Sequence, residues 1–110
     1  MKIKIKNSII EADLADNFFK RMIGLSFSRN KNMLFIMPFE DRWNFWMFLV
    51  RWPLKIVFVD KNKIVIDVKD AEPISFDSKS WRTYSPRSPC RYIFETPFDL
   101  KIRIGDKLNW

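Results

Sequence analysis

Residues 55–68 read KIVFVDKNKIVIDV. Two β-branched, apolar runs flank Asp60-Lys61-Asn62-Lys63. Short apolar runs separated by a few polar turn residues predict a β-hairpin. Upstream, KIKIK (2–6) alternates strictly, which predicts a half-buried strand whose lysines also guard an edge. Asn7-Ser8 reads as a turn and Ile9–Ala12 as the returning strand. MLFIM (33–37) predicts a short apolar strand closed by Pro38, and FEDR (39–42) a turn.

RWNFWMFLVRW (42–52) follows. Drawn as a strand, it is apolar on both faces over its middle, which predicts cover on both sides. Downstream, CRYIFE (90–95) reads as a strand broken by Pro97, with Cys90, Tyr92 and Phe94 on one face and Arg91, Ile93 and Glu95 on the other. DLKIRIGDKLNW (99–110) opens on a strand pattern and turns at Gly105-Asp106. One stretch has helical spacing. In DLADNFFKRMIGL (13–25), Leu14, Phe18, Met22 and Leu25 recur on one face, Asp13 stands at the N-cap position and Gly24 at the stop.

The expected fold is therefore mainly β (α+β). Seven or eight short strands form a compact antiparallel barrel or strongly bent sheet, because so many edges in a small chain must be hidden. One short helix near residues 14–23 plugs an opening. With 110 residues the chain fits a single domain, 1–110.

Composition narrows the function. There are no histidines, which removes the commonest general base and metal ligand. The single cysteine, Cys90, allows no intrachain disulfide and no Cys/His metal site, and its strand position reads as a small buried residue. Two glycines cannot build a phosphate loop. No cofactor is implied. Asp67, Asp70, Glu72 and Asp77 are close in sequence, and surface pairing with the many lysines accounts for them. Glu95 and Arg91 share a strand face and read as an ion pair. The balance leans away from an enzyme. The N-terminal stretch lacks a signal peptide's apolar core, and no apolar run reaches the ~18–20 residues of a membrane span. A cytoplasmic protein without a membrane partner is expected.

The formal net charge is +7. The candidate binding residues are basic and aromatic: Arg51 and Trp52, then Trp81, Arg82, Tyr84 and Arg87 on a long irregular stretch, then Arg91. Cations beside flat rings suit an anionic or polar small ligand, or a single-stranded nucleic acid whose bases stack on the rings. The plainer account is that Trp81 and Tyr84 pin the loop to the core while the arginines reach into water.

Several groups recur in fixed order: Arg21-x-x-Gly24-Leu25, Met33-Leu34-Phe35, Phe45-Trp46-Met47, Pro53-Leu54 with Phe58-x-Asp60, Pro89-x-Arg91-Tyr92 with Glu95, and Gly105-Asp106. The ordered set resembles domain of unknown function 192, also called uncharacterised protein family 0127, small archaeal and bacterial proteins. The resemblance covers roughly residues 18–108. It implies a small, mostly β fold with one helix, and it transfers no catalytic residues. Many members place a polar residue and then Asn-Thr after Phe-Trp-Met. Here Phe48, Leu49 and Val50 stand there, and Arg51 is the nearest polar substitute. The stretch from Glu95 to Gly105 is also shorter than usual.

Overall fold

The computed structural model describes residues 1–15, 32–46, 53–72 and 83–110. They form ten strands: β1 (Lys2–Ile5), β2 (Ser8–Glu11), β3 (Asp13–Ala15), β4 (Met33–Asp41), β5 (Phe45–Trp46), β6 (Leu54–Val59), β7 (Val65–Ala71), β8 (Thr83–Tyr84), β9 (Cys90–Thr96) and β10 (Leu108–Asn109). The strands make three sheets, ordered β10-β1-β2, β3-β4-β9-β6-β7 and β5-β8.

The predicted hairpin is β6–β7, with Leu54 opposite Ala71 and Phe58 opposite Asp67. Its turn is held by one carboxylate. Asp60 Oδ1 accepts the N–H groups of Asn62 at 2.8 Å and Ile64 at 3.0 Å. Lys63 completes the turn at φ 66°, a left-handed conformation. β1 and β2 form the other expected hairpin, with Lys2 opposite Glu11 and Ile5 opposite Ser8.

Two apolar layers sandwich the five-stranded sheet. Ile3, Ile5 and Leu108 of the small sheet pack with Leu34, Val57, Val59 and Phe94 on one side. On the other, Met33, Phe35, Ile56, Phe58 and Ile93 pack with Tyr84 and Cys90. The inner strands are thus covered on both faces, which is why LKIVFV and CRYIFET read as nearly continuous apolar runs. Phe58 and Phe94 are fully buried, one in each layer. Truncating either to Ala costs about 3–5 kcal/mol.

Four expectations are corrected. Asp13–Ala15, placed at the start of a helix, are a strand that runs parallel to β4, Asp13 opposite Met33. The Asp13 N–H bonds to the Asn32 carbonyl at 2.8 Å, so a sheet partner takes the donor that a helix would have left for a cap. The rest of the predicted helix lies outside the described residues. Those residues contain no helix, and their strands close no barrel. Second, β4 does not stop at Pro38. Its register runs from Ile36 opposite Tyr92 to Asp41 opposite Cys90, five steps answered by two, so three residues bulge out. Pro38 lacks an N–H and is accommodated in that bulge. Third, of the aromatic stretch 42–52, only Phe45–Trp46 is strand among the described residues, paired with Tyr84 and Thr83; residues 47–52 lie outside them. Fourth, 99–103 is not strand, and pairing resumes with the Lys107 bridge to Ile64 and then Leu108–Asn109. Gly105, at φ 96°, makes the intervening turn, and a Cβ there would meet nothing within 4 Å, so conformation rather than space selects glycine.

Candidate functional site

The start of β9 brings three arginines into one corner. Arg91 Nε donates to the Met37 carbonyl at the base of the β4 bulge. Arg42, just past the bulge, donates through Nε to the Pro86 carbonyl at 3.0 Å. Arg87 follows directly. Its main-chain N–H reaches Asp67 Oδ2 at 3.0 Å, and its largely exposed guanidinium stands 3.9 Å from Asp67 Oδ1.

The bulge adds aromatic surface. Phe39 is 56% exposed. Its ring centroid lies 4.9 Å from that of Trp43, tilted by 48°. Trp43 Nε1 donates to the Phe39 carbonyl at 2.9 Å, which fixes the pair. Trp43 also packs against the core beneath.

Carboxylates share the corner. Asp41 accepts the Arg42 N–H at 2.7 Å, and Glu40 accepts the N–H of Lys61 in the hairpin turn at 2.9 Å. Asp67 is buried and satisfied by the N–H groups of Val68 and Arg87 and by Lys69 at 3.6 Å. It is a buried structural node, not the surface pairing partner its sequence context implied.

Of the residues singled out from sequence, Arg87 and Arg91 flank this corner, tied to Asp67 and to Met37 respectively. Tyr84 does not. It is a core residue, and its hydroxyl accepts the Glu72 N–H at 3.1 Å. Arg51, Trp52, Trp81 and Arg82 lie outside the described residues. Sequence reasoning missed Phe39, Arg42 and Trp43 because 39–42 read as a polar turn. The signal was present: Phe-x-x-Arg-Trp directly after a strand proline.

Two groups were candidates for chemistry. Burial pushes the Cys90 thiol up to about 11, which leaves it protonated and unreactive at neutral pH. Glu95 is not paired with Arg91. Four residues along a strand are ~13 Å apart, beyond the reach of that pair. Both Glu95 oxygens are fully buried with no hydrogen-bond partner, and burial raises the carboxyl well above its ordinary range. Among the described residues no cluster of acidic or cysteine side chains could hold a metal ion, and no helix is long and apolar enough to cross a membrane.

Comparison with known proteins places this geometry. The family model described as "Uncharacterized ACR" (DUF192) matches residues 1–110. The UPF0127 protein of Thermococcus sibiricus is 37% identical over 105 residues, covering 88% of this chain and 64% of that protein. This chain therefore spans less than two thirds of that relative. The UPF0127 protein of Pyrococcus furiosus is 35% identical over 114 residues, covering 97% of this chain and 92% of its own. Two solved structures share the fold. A protein of unknown function from Novosphingobium aromaticivorans superposes with a TM-score of 0.81 at 22% identity, covering 99% of this chain and 84% of the other. A "putative transcription regulator" from Sinorhizobium meliloti gives 0.84 at 20% identity, covering 98% and 91%. The chain belongs to the DUF192 family, whose curated archaeal members carry the UPF0127 name.

Proposed function

We propose that this protein is a binding module for a small polar or anionic molecule, held at the corner formed by the β4 bulge and the start of β9. The observation that carries the reading is the exposed Phe39 ring set against Trp43 beside Arg42, Arg87 and Arg91. A ring face offers a flat ligand apolar contact, and a guanidinium offers planar, directed donors to oxygen acceptors. The site keeps two residues singled out from sequence, Arg87 and Arg91, and adds three.

The charge in the corner is mixed. Glu40, Asp41 and Asp67 stand among the three arginines, so the local field is not that of a uniformly positive stripe. A long polyanion gains little from such a field. A small ligand that places one acceptor near a guanidinium and lays its body on the rings uses it well. This favours a small molecule over single-stranded nucleic acid despite the overall charge of +7.

The test is a tryptophan-fluorescence titration with adenosine monophosphate, a flat ring bearing an anion, and with a mixed-sequence single-stranded oligonucleotide. The expected result is a saturable change with the nucleotide that tolerates moderate salt and is lost in Phe39→Ala and Arg87→Ala. An oligonucleotide response that collapses as salt rises would transfer the site to nucleic acid. Unchanged nucleotide affinity in both variants would remove the corner from the function.

A further inference from the structure

A second candidate site lies on the three-stranded sheet and does not rest on the arginine corner. β1 is the middle strand there, between β10 and β2, so the lysines expected to guard an edge stand on an inner strand. β2 is an outer strand, and among the described residues no strand pairs with its other side. It reads SIIE in regular register, with no lysine, proline or bulge of the kind that protects an edge. The turn before it has two residues, Lys6 and Asn7, so Ile5 and Ser8 exchange both main-chain hydrogen bonds. By alternation Ile3 and Ile10 do the same, and then Met1 and Ala12. The Ala12 N–H indeed donates to the Met1 carbonyl at 2.9 Å. Ile9 and Glu11 therefore turn their main-chain groups outward. The Glu11 carbonyl accepts from Asn32 Nδ2 on that side at 3.1 Å. No partner holds the Ile9 N–H or carbonyl among the described residues.

An open edge alone makes no site. The second observation is a groove of about 430 Å³ between β2 and residues 99–102. β2 lines it with Ser8 and Ile10 and not with Ile9, so the groove lies under one face of the strand. Leu100 and Ile102 form the far wall. That wall does not compete for the edge. The Leu100 N–H bonds to the Phe98 carbonyl and the Ile102 N–H to the Leu100 carbonyl, each at 3.0 Å. A strand laid against Ile9 sends the side chains on either side of its paired residue onto the face of Ser8 and Ile10, into the groove. Main-chain hydrogen bonds beside pockets for alternate side chains are how a sheet edge captures an extended peptide. Ile9, 68% exposed, offers apolar contact on the opposite face. The rim sets the sign of the partner. Lys6 and Lys101 line it. Lys101 makes no ion pair among the described residues, and Lys6 stands 3.4 Å from Asp106. Asp99, the carboxylate in the lining, is engaged by Lys55 at 3.5 Å. Charge also argues against a second copy, because pairing two β2 strands would bring together two chains of net charge +7.

We propose that the outer edge of β2 and the groove beneath it bind an extended peptide by strand addition, one whose alternate apolar residues are flanked by acidic ones. One peptide residue exchanges both main-chain hydrogen bonds with Ile9. Its two neighbours fill the groove against Ile10, Leu100 and Ile102, and the acidic residues beyond them meet Lys6 and Lys101.

The experiment is a fluorescence-anisotropy titration of the labelled peptide EDVTVDE with the full chain at moderate salt, beside two controls. One is the same peptide N-methylated at its threonine, and the other is KKVTVKK. EDVTVDE is expected to bind saturably and to slow amide exchange at Ile9. N-methylation removes the donor to the Ile9 carbonyl without changing charge, and affinity is expected to fall by about tenfold or more. Ile9→Pro removes the outward N–H of the edge itself and should do the same. Absence of EDVTVDE binding overturns the proposal. So does equal affinity for the N-methylated peptide, since the peptide is then held by charge alone. Equal or tighter binding of KKVTVKK overturns it as well. A chain that sediments as a dimer, and as a monomer with Ile9→Pro, gives the edge to a second copy and overturns the peptide. Should Ile9→Pro fail to fold, the N-methylated peptide and the unaltered chain still decide.

Discussion

The Lys63 ammonium lies 4.4 Å from the centroid of the Trp110 ring and donates a hydrogen bond to the Trp110 carbonyl at 3.0 Å. Trp110 in turn meets Tyr92 edge to face at 4.8 Å. One lysine thus ties the hairpin turn to the small sheet, next to the bridge between Ile64 and Lys107. Lys63→Ala removes the cation–π contact and the hydrogen bond, and should destabilise by about 1–2 kcal/mol. Lys63→Gly loses the same contacts but relaxes the left-handed backbone, so it should cost less than alanine. Denaturant midpoints of the two variants check the order.

Glu95 makes stability depend on pH in an unusual direction. Its carboxyl is raised in the folded chain, so between the ordinary carboxyl value and the raised one the native state holds a proton that the unfolded state has lost. Stability contributed by this group is complete below the ordinary value and declines as pH rises through the window. Glu95→Gln should remove that decline and should be more stable than the parent at pH 7. Urea midpoints of both proteins from pH 4 to 8 give the two slopes.

Asp67 should behave in the opposite way to a surface charge. It satisfies two main-chain N–H groups from a buried position. Asp67→Ala orphans both and should cost about 2–4 kcal/mol. Asp67→Asn keeps an acceptor and should cost less. Thermal and chemical denaturation, read together, would show whether the penalty is independent of salt, as a buried hydrogen bond requires.

Cys90 is fully buried, and its thiol is held at about 11. A chromogenic disulfide reagent at pH 8 should leave it unlabelled in native protein and label it at once in denaturant. Slow native labelling, followed against denaturant, should report opening of the sheet around β9.

The hairpin 55–68 and the strands at 2–5, 8–11 and 90–96 were legible because each pairs with a neighbour close in sequence or carries an unbroken apolar run. The parallel strand β3 was not. Its three residues carry no period of their own, and Asp13 is equally at home as a cap or as a sheet residue. The β4 bulge was hidden by Pro38, which ends most strands but here is carried outside the ladder. The corner escaped for the same reason: Phe39, Arg42 and Trp43 matter only once the bulge sets them beside Arg87 and Arg91. Of the two readings open for Tyr84, ligand ring or anchor of the loop, the structure has the anchor: its ring sits in the core. Glu95 illustrates a different limit. Its strand face was read correctly, yet a face does not say that the next side chain is out of reach.

β9 sits between β4 and β6, and it is the only strand that joins them among the described residues. During synthesis the ribosome delivers β4 and the β6–β7 hairpin first and withholds the strand that unites them. Until residue 96 has left the exit tunnel, two apolar half-sheets stand with open edges, each able to recruit the wrong neighbour. The chain is then at its most vulnerable in the interval before β9 pairs. Chaperone demand should concentrate in that interval.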